Sequence, residues 1–203
     1  MLPTLVLSKA QRAALQKRFE QEKATVLWLY SAGSSYPDKG PSAEFCGDFF
    51  GIKFAMDTKP QTVNLLFNGE KFKSRFTNAP WFFPVSGYDS VLAKDDKGRP
   101  AVVMKKVNGA THIFSALPDL PKSMLDSIVK KSGVFQYVKT FDDPIWAGND
   151  IVTLHAATSG KKQIFLPKGK NLKPILGPMK KTVRSGEAWE AIGGQSYVFL
   201  VTE

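Results

Sequence analysis

The chain has 203 residues, 43% of them hydrophobic and 23% charged, which suits one medium domain, or a larger domain with a small appendage, around a real core. Twenty-eight basic against 18 acidic residues give a net charge of +10, which attracts polyanions in general and selects none of them. The single cysteine, Cys46, excludes an intramolecular disulfide and argues against a cysteine-based zinc site, and no apolar run approaches the ~18 residues that span a bilayer.

Met1–Leu7 is too short for a signal-peptide core and has no basic residues before it. If Met1 is not the natural start, a periplasmic or secreted location stays open. Ser8-Lys9-Ala10-Gln11 fits a capping box and predicts a helix through Lys23 with a weak apolar face. Ala24–Tyr30 is a continuous apolar run, the pattern of a strand buried on both faces of a parallel sheet. The loop Ser31–Gly40 follows, at the kind of position where open α/β sheets bind ligands. Its glycines are too far apart for a phosphate cradle, and Lys39 precedes the second one, so an ordinary turn loop is favoured over nucleotide binding.

Pro41–Phe50 reads as a short helix carrying Phe45, Phe49 and Phe50. Ile52–Met56 and Val63–Phe67 read as strands, and Asn68-Gly69 as a hairpin turn, since both residues tolerate positive φ. Trp81-Phe82-Phe83-Pro84-Val85 is the densest aromatic cluster, and Lys94–Gly98 is a polar turn. A second Asn-Gly hairpin, Asn108-Gly109, joins Ala101–Val107 to Ala110–Ala116. Pro121–Ser132 predicts a helix with Met124, Leu125, Ile128 and Val129 on one face and Gly133 to stop it. Val134–Val138 predicts a strand, and Ile151–His155 with Gln163–Leu166 a hairpin turning through Thr158–Lys161. Beyond Pro167 short apolar pieces are divided by Gly and Pro, and eight basic residues from Lys161 to Arg184 have no acidic residue among them. That texture predicts a small antiparallel β unit ending in the strand Ser196–Thr202. The boundary is expected between Asp142 and Asp150, giving domains 1–145 and 146–203.

Few residues carry visible chemistry. Cys46 lacks the strand and the small residue that precede an elbow nucleophile, and reads as a buried apolar side chain. His112 and His155 lie inside apparent strands without close metal-ligand spacing, so each reads as a half-buried sheet histidine. The pairs Asp95-Asp96 and Asp142-Asp143 are sequence neighbours, which point to opposite sides of an extended chain and are poor candidates for flanking one substrate bond; Asp142-Asp143-Pro144 reads as a turn. Glu187 and Glu190 read as solvated strand edges. The lysine-rich tail reads as a solvated face rather than a nucleic-acid site, since no nucleic-acid-binding motif accompanies it.

Several stretches together resemble a known family. They are the opening Ser8–Gln11 helix with Trp28-Leu29-Tyr30-Ser31-Ala32-Gly33, the segment Lys105–Ser115, Leu117-Pro118-Asp119-Leu120-Pro121, the helix Met124–Lys131 leading to Ser132-Gly133-Val134, Asn149–Ala156, and Ile164-Phe165-Leu166-Pro167. The series resembles the glutamine-amidotransferase-like, trimerisation-type domain and small C-terminal β domain of bacterial beta-galactosidases of glycoside hydrolase family 42. The resemblance implies an α/β fold, a flavodoxin-like (amidotransferase-like) three-layer sandwich followed by a small antiparallel β domain, serving structure and assembly. It implies no amidotransferase chemistry here. Cys46 lacks the leading Gly of a Gly-x-Cys-x-Gly elbow, and His155-Ala156-Ala157 lacks the Glu of the later His-x-Glu. The glycosidase carboxylates would sit on a barrel of ~250 residues for which this chain has no room.

The first expectation is therefore a non-catalytic structural, oligomerisation or interdomain-contact domain of a carbohydrate-related protein, with no catalytic residue, cofactor or metal. Self-association or contact with a glycoside hydrolase catalytic domain would be its role. Gly33, Ser34, Ser35 and Tyr36, with Trp81, Phe82 and Phe83, are the candidate contact surface or ligand cleft. The second expectation is a carbohydrate-binding module in which Trp81, Tyr88 or Trp146 stacks on sugar faces. A small enzyme using Cys46 or His155 is a third, and polyanion binding a fourth.

Overall fold

The computed structural model describes residues 5–139 and 142–203, and the chain divides into two compact units, Met1–Ser132 and Gly133–Glu203. Strand accounts for 44% of the residues and helix for 17%.

The first unit opens on helix α1 (Lys9–Glu22). Ser8 caps it through the reciprocal box read from the sequence, its hydroxyl accepting from the Gln11 N–H and its own N–H donating to the Gln11 side chain. Strand β1 (Thr25–Leu29), helix α2 (Ala43–Phe50) and strands β2 (Lys53–Asp57), β3 (Gln61–Phe67), β4 (Glu70–Asn78) and β5 (Trp81–Ser86) follow. Strands β6 (Ser90–Asp95), β7 (Pro100–Val107) and β8 (Ala110–Ser115) lead into helix α3 (Lys122–Ser132). A six-stranded sheet has the order β1-β8-β7-β6-β3-β4, and β2 and β5 form a separate two-stranded ribbon. Both Asn-Gly turns close hairpins as expected, with positive φ at Asn68, Gly69, Asn108 and Gly109.

This unit is not the flavodoxin-like, amidotransferase-like three-layer sandwich expected from the resemblance. That fold needs several parallel strands joined by helical crossovers. Among the described strands of this unit β1 and β8 alone pair in parallel, beside one isolated parallel bridge between Val6 and Ser35, and the other strand pairs are antiparallel. β1, read as a strand buried on both faces of a parallel sheet, lies at the sheet edge. Its apolar run is buried instead by helix side chains, since Trp28 meets Phe19 of α1 and Phe49 and Phe50 of α2 at ring separations of 5.0–5.7 Å.

The second unit is built from β9 (Ile145–Gly148), β10 (Ile151–His155), β11 (Gly160–Lys162), β12 (Asn171–Leu176), β13 (Val183–Arg184), β14 (Trp189–Ala191) and β15 (Ser196–Thr202). A five-stranded antiparallel sheet runs β13-β12-β15-β10-β9, and β11 pairs with β14. The small antiparallel unit and its final strand match the reading from sequence. Two predicted strands do not form. Val134–Val138 is irregular, and Gln163–Leu166 lies beyond β11, so β10 pairs with the preceding β9 and with β15 rather than with the segment expected to follow it. Ile164 and Leu166 are buried in this unit's core without belonging to a strand, which accounts for an apolar pattern that mimics one.

Candidate functional site

The loop after β1 is bound inward. Gly33, Ser34 and Ser35 are buried, and Tyr36 is half-buried. A buried arginine on α1 holds them. Arg12 donates from Nε to the Leu7 carbonyl (3.1 Å), from Nη1 to Phe45 (2.6 Å), and from Nη2 to Gly33 (2.7 Å) and Ser35 (3.1 Å). Its guanidinium also lies 4.1 Å from the centre of the Tyr36 ring. Gly33 has φ +68°, and a Cβ there would come within 2.9 Å of Phe49, so the loop backbone packs directly on α2. Sequence reasoning missed Arg12, which reads as one more surface cation on a weakly amphipathic helix.

Trp81, Phe82 and Phe83 are core residues of the first unit. Trp81 Nε1 donates to the Gln61 carbonyl at 3.1 Å, and its ring meets Tyr30 edge-on at 5.6 Å. Phe83 lies 3.7 Å under the Arg99 guanidinium, which is itself paired at 2.7 Å with the buried Asp95. None of the three presents a ring to solvent. Tyr88 is half-buried, with its hydroxyl 3.5 Å from the Val85 carbonyl.

The candidate reactive groups sit in structural roles. Cys46 is fully buried, its Sγ 3.4 Å from the Ala32 carbonyl; burial pushes the thiol well up, and the nearby Arg12 charge pulls it back less. His112 Nδ1 accepts from Trp28 Nε1 at 3.1 Å, which puts the ring proton on Nε2. Desolvation holds His112 below the ordinary imidazole value, with Glu20 pulling weakly the other way. Asp96 is held low chiefly by the Asn64 side chain, and Asp143 pairs with Lys162 at 2.8 Å. Glu187 is held low first by the Arg184 N–H and then by Lys181. Among the described residues no group of three or more His, Cys, Asp or Glu could hold a metal ion, and no helix is long and apolar enough to cross a membrane.

The second unit places Trp146 and His155 on one face. Cross-strand partners share a face, and the registers connect Trp146 to Thr153, Thr153 to Val198 and Val198 to Leu176. The neighbouring row connects Ile151 to Leu200. Opposite them, Val152, Leu154, Tyr197 and Phe199 turn inward to the core. The outer face is thus apolar and open: Trp146 is 60% exposed, Leu176 67% and Ile151 41%. His155, half-buried at the end of β10, bonds through Nδ1 to Ser196 Oγ at 3.0 Å. Of the residues singled out from sequence, the structure brings these two to one sheet and gathers Gly33, Ser34, Ser35 and Tyr36 around Arg12. It seals Trp81, Phe82 and Phe83 inside.

No family model matches the chain, and no curated protein matches it. Solved structures do. The beta-galactosidase from Bacillus circulans sp. alkalophilus aligns over 97% of this chain and 31% of its own, with TM-score 0.68 and 12% identity. The GH42 beta-galactosidase Gan42B from G. stearothermophilus aligns over 98% and 31%, with TM-score 0.63 and 14% identity. The beta-galactosidase from the Antarctic haloarchaeon Halorubrum lacusprofundi aligns over 98% and 30%, with TM-score 0.64 and 16% identity. This chain therefore spans under a third of the length of these enzymes. At such identity the likeness is one of fold. The resemblance to family 42 beta-galactosidases holds at that level; the amidotransferase-like description does not.

Proposed function

We propose that the chain is a non-catalytic, contact-making domain of a glycoside-hydrolase-like, carbohydrate-associated protein. The observation that carries this reading is the fold shared along nearly the whole chain with one segment of much longer beta-galactosidases. The residues agree with it. The one thiol is buried and held protonated, His112 is locked to Trp28, and the buried Asp95 is paired with Arg99. The contact surface is the outer face of the five-stranded sheet, where Trp146, Ile151, Leu176 and Leu200 form an apolar area of the kind that anchors interfaces. Self-association through this face is tested by light scattering behind a sizing column at low and high salt. The expected result is an oligomer that persists in high salt and weakens in Trp146→Ser. A monomer at high protein concentration in both salts overturns self-association as its role.

A second reading rests on the exposure of Trp146 itself. A lone open indole on a sheet, beside Thr153, is suited to stacking on a sugar face. The other three tryptophans, Trp28, Trp81 and Trp189, are buried, so Trp146 is the indole that a sugar can touch directly in a fluorescence titration with galactose-containing oligosaccharides. A saturable change that is lost in Trp146→Ser favours sugar binding over protein contact.

A further inference from the structure

One face of the six-stranded sheet in the first unit is only partly covered. The registers put Thr25, Thr111, Lys106, Met104, Ile113 and Ser90 on a common face, since Thr25 and Lys106 both pair with Thr111, and Ile113 and Ser90 both pair with Met104. Helix α3 lies over this face and buries Met124 and Ile128. Eleven residues of helix cannot cover six strands, and a cavity of about 550 Å³ is left between α3 and the sheet. That volume is within the range of small-molecule pockets.

Its chemistry is divided. Leu92, Met104 and Ile113 supply an apolar floor, with Met124 and Ile128 as the wall. Lys106 and Lys131 stand at the rim, and no acidic side chain among the described residues lines it. Asp89, next to Ser90, turns its carboxylate to the Lys106 backbone N–H (2.7 Å) instead. Ser90 is among the lining residues, and its hydroxyl is buried without a hydrogen-bond partner. The C-terminal end of α3 opposes an anion with roughly half a negative charge. Ser132 satisfies part of it by donating to the Val129 carbonyl at 2.8 Å, and the two lysine charges outweigh the remainder.

We infer that this cavity is a binding site for an amphipathic organic monoanion: a carboxylate on an apolar carbon skeleton, its acid group between Lys106 and Lys131 and its body against Met104 and Met124. Lysines suit such a ligand as point charges, without the planar fork of arginine. The site is separate from the sheet face proposed for protein contact, and one can fail without the other.

Two methionines in the wall allow a direct test. The full chain, labelled with ¹³C at its methionine methyl groups, is titrated with octanoate and, separately, with 1-octanol at equal concentrations. The Met104 and Met124 signals are expected to shift saturably with octanoate, while Met56 and Met179, which do not line the cavity, stay in place. The uncharged alcohol should produce a much weaker response. Lys106→Gln with Lys131→Gln, both at exposed positions, should weaken octanoate about tenfold, the worth of one charge-assisted contact. The proposal is overturned by an equal response to octanol, by unchanged affinity in the lysine variants, by shifts confined to Met56 or Met179, or by no shift at all.

Discussion

The two units treat their tryptophans in opposite ways. The first encloses Trp28 and Trp81 completely, with Phe19, Phe49, Phe50 and Phe83 among the rings around them. The second encloses Trp189 against Tyr197 and Phe199 but leaves Trp146 open on its outer sheet face. The contrast shows what a ring's neighbours decide. Rings that cluster in sequence or on packed elements satisfy each other and leave nothing for a partner. A single ring on a short edge strand has no such neighbours, and its apolar area is available to another molecule. The sequence cluster Trp81–Phe83 is therefore part of the core, and the isolated Trp146 is the indole left open, where the proposed contact would form.

This contrast can be broken most severely from the inside. Phe114 is fully buried and meets Phe50 and Phe54 at ring separations of 5.4 and 4.7 Å. Phe114→Ala should cost about 3–5 kcal/mol, read as a lower midpoint in chemical denaturation. A loss under about 1 kcal/mol would mean that the ring network is not the main support of this unit. Arg12→Ala should cost about 3 kcal/mol, because it strips hydrogen bonds from four carbonyls at once, three of them buried. Faster amide exchange should then appear in the Gly33–Tyr36 loop before it appears in β7.

A smaller effect should follow pH through His112. Its folded pKa lies below the ordinary 6.5, so the unfolded chain binds the proton first as pH falls. Stability should be full above about pH 6.5 and decline from there toward the lower folded value, then level off. The depressed carboxylates Asp57, Asp96 and Glu187 keep their stabilising contribution across this window and lose it only as pH falls below the usual carboxylate range. Denaturation midpoints between pH 8 and 5 should slope in the wild type and flatten in His112→Gln, whose side chain can still accept from Trp28. An equal slope in both would place the titration elsewhere. The smallest effect on stability belongs to Trp146→Ser, within about 0.5 kcal/mol, because the ring is mostly in solvent. The same variant should remove most of the iodide quenching of tryptophan fluorescence, the other three indoles being enclosed.

The local elements were legible where the chemistry is local. The Ser8–Gln11 box, both Asn-Gly turns and the strand Ser196–Thr202 depend on neighbours within a few residues, and each forms where the pattern puts it. Sheet order depends on distant partners. The apolar run at β1 looks the same at a sheet edge under two helices as in a strand buried on both faces of a parallel sheet, and the flavodoxin-like expectation, which the family resemblance implied, was not checked by any local pattern. Ile164 and Leu166 are buried in irregular chain, so their alternation imitated a strand. The candidate site was legible only in part. Trp146 was visible as an aromatic, but its exposure depends on which strands lie beside it. Arg12 carried no signal, since its partners are backbone carbonyls, which every residue possesses.

That choice of partners has a further consequence. A tie between arginine and carboxylate lets go when acid neutralises the carboxylate. Arg12 holds its loop through carbonyl oxygens and an aromatic face, and neither gains or loses a proton in ordinary solution. The turn beyond β1 is consequently fastened by a clasp that acidity cannot open, and its shape should outlast the pH at which a carboxylate tie elsewhere in the molecule, such as Asp96 with Lys71, has already parted.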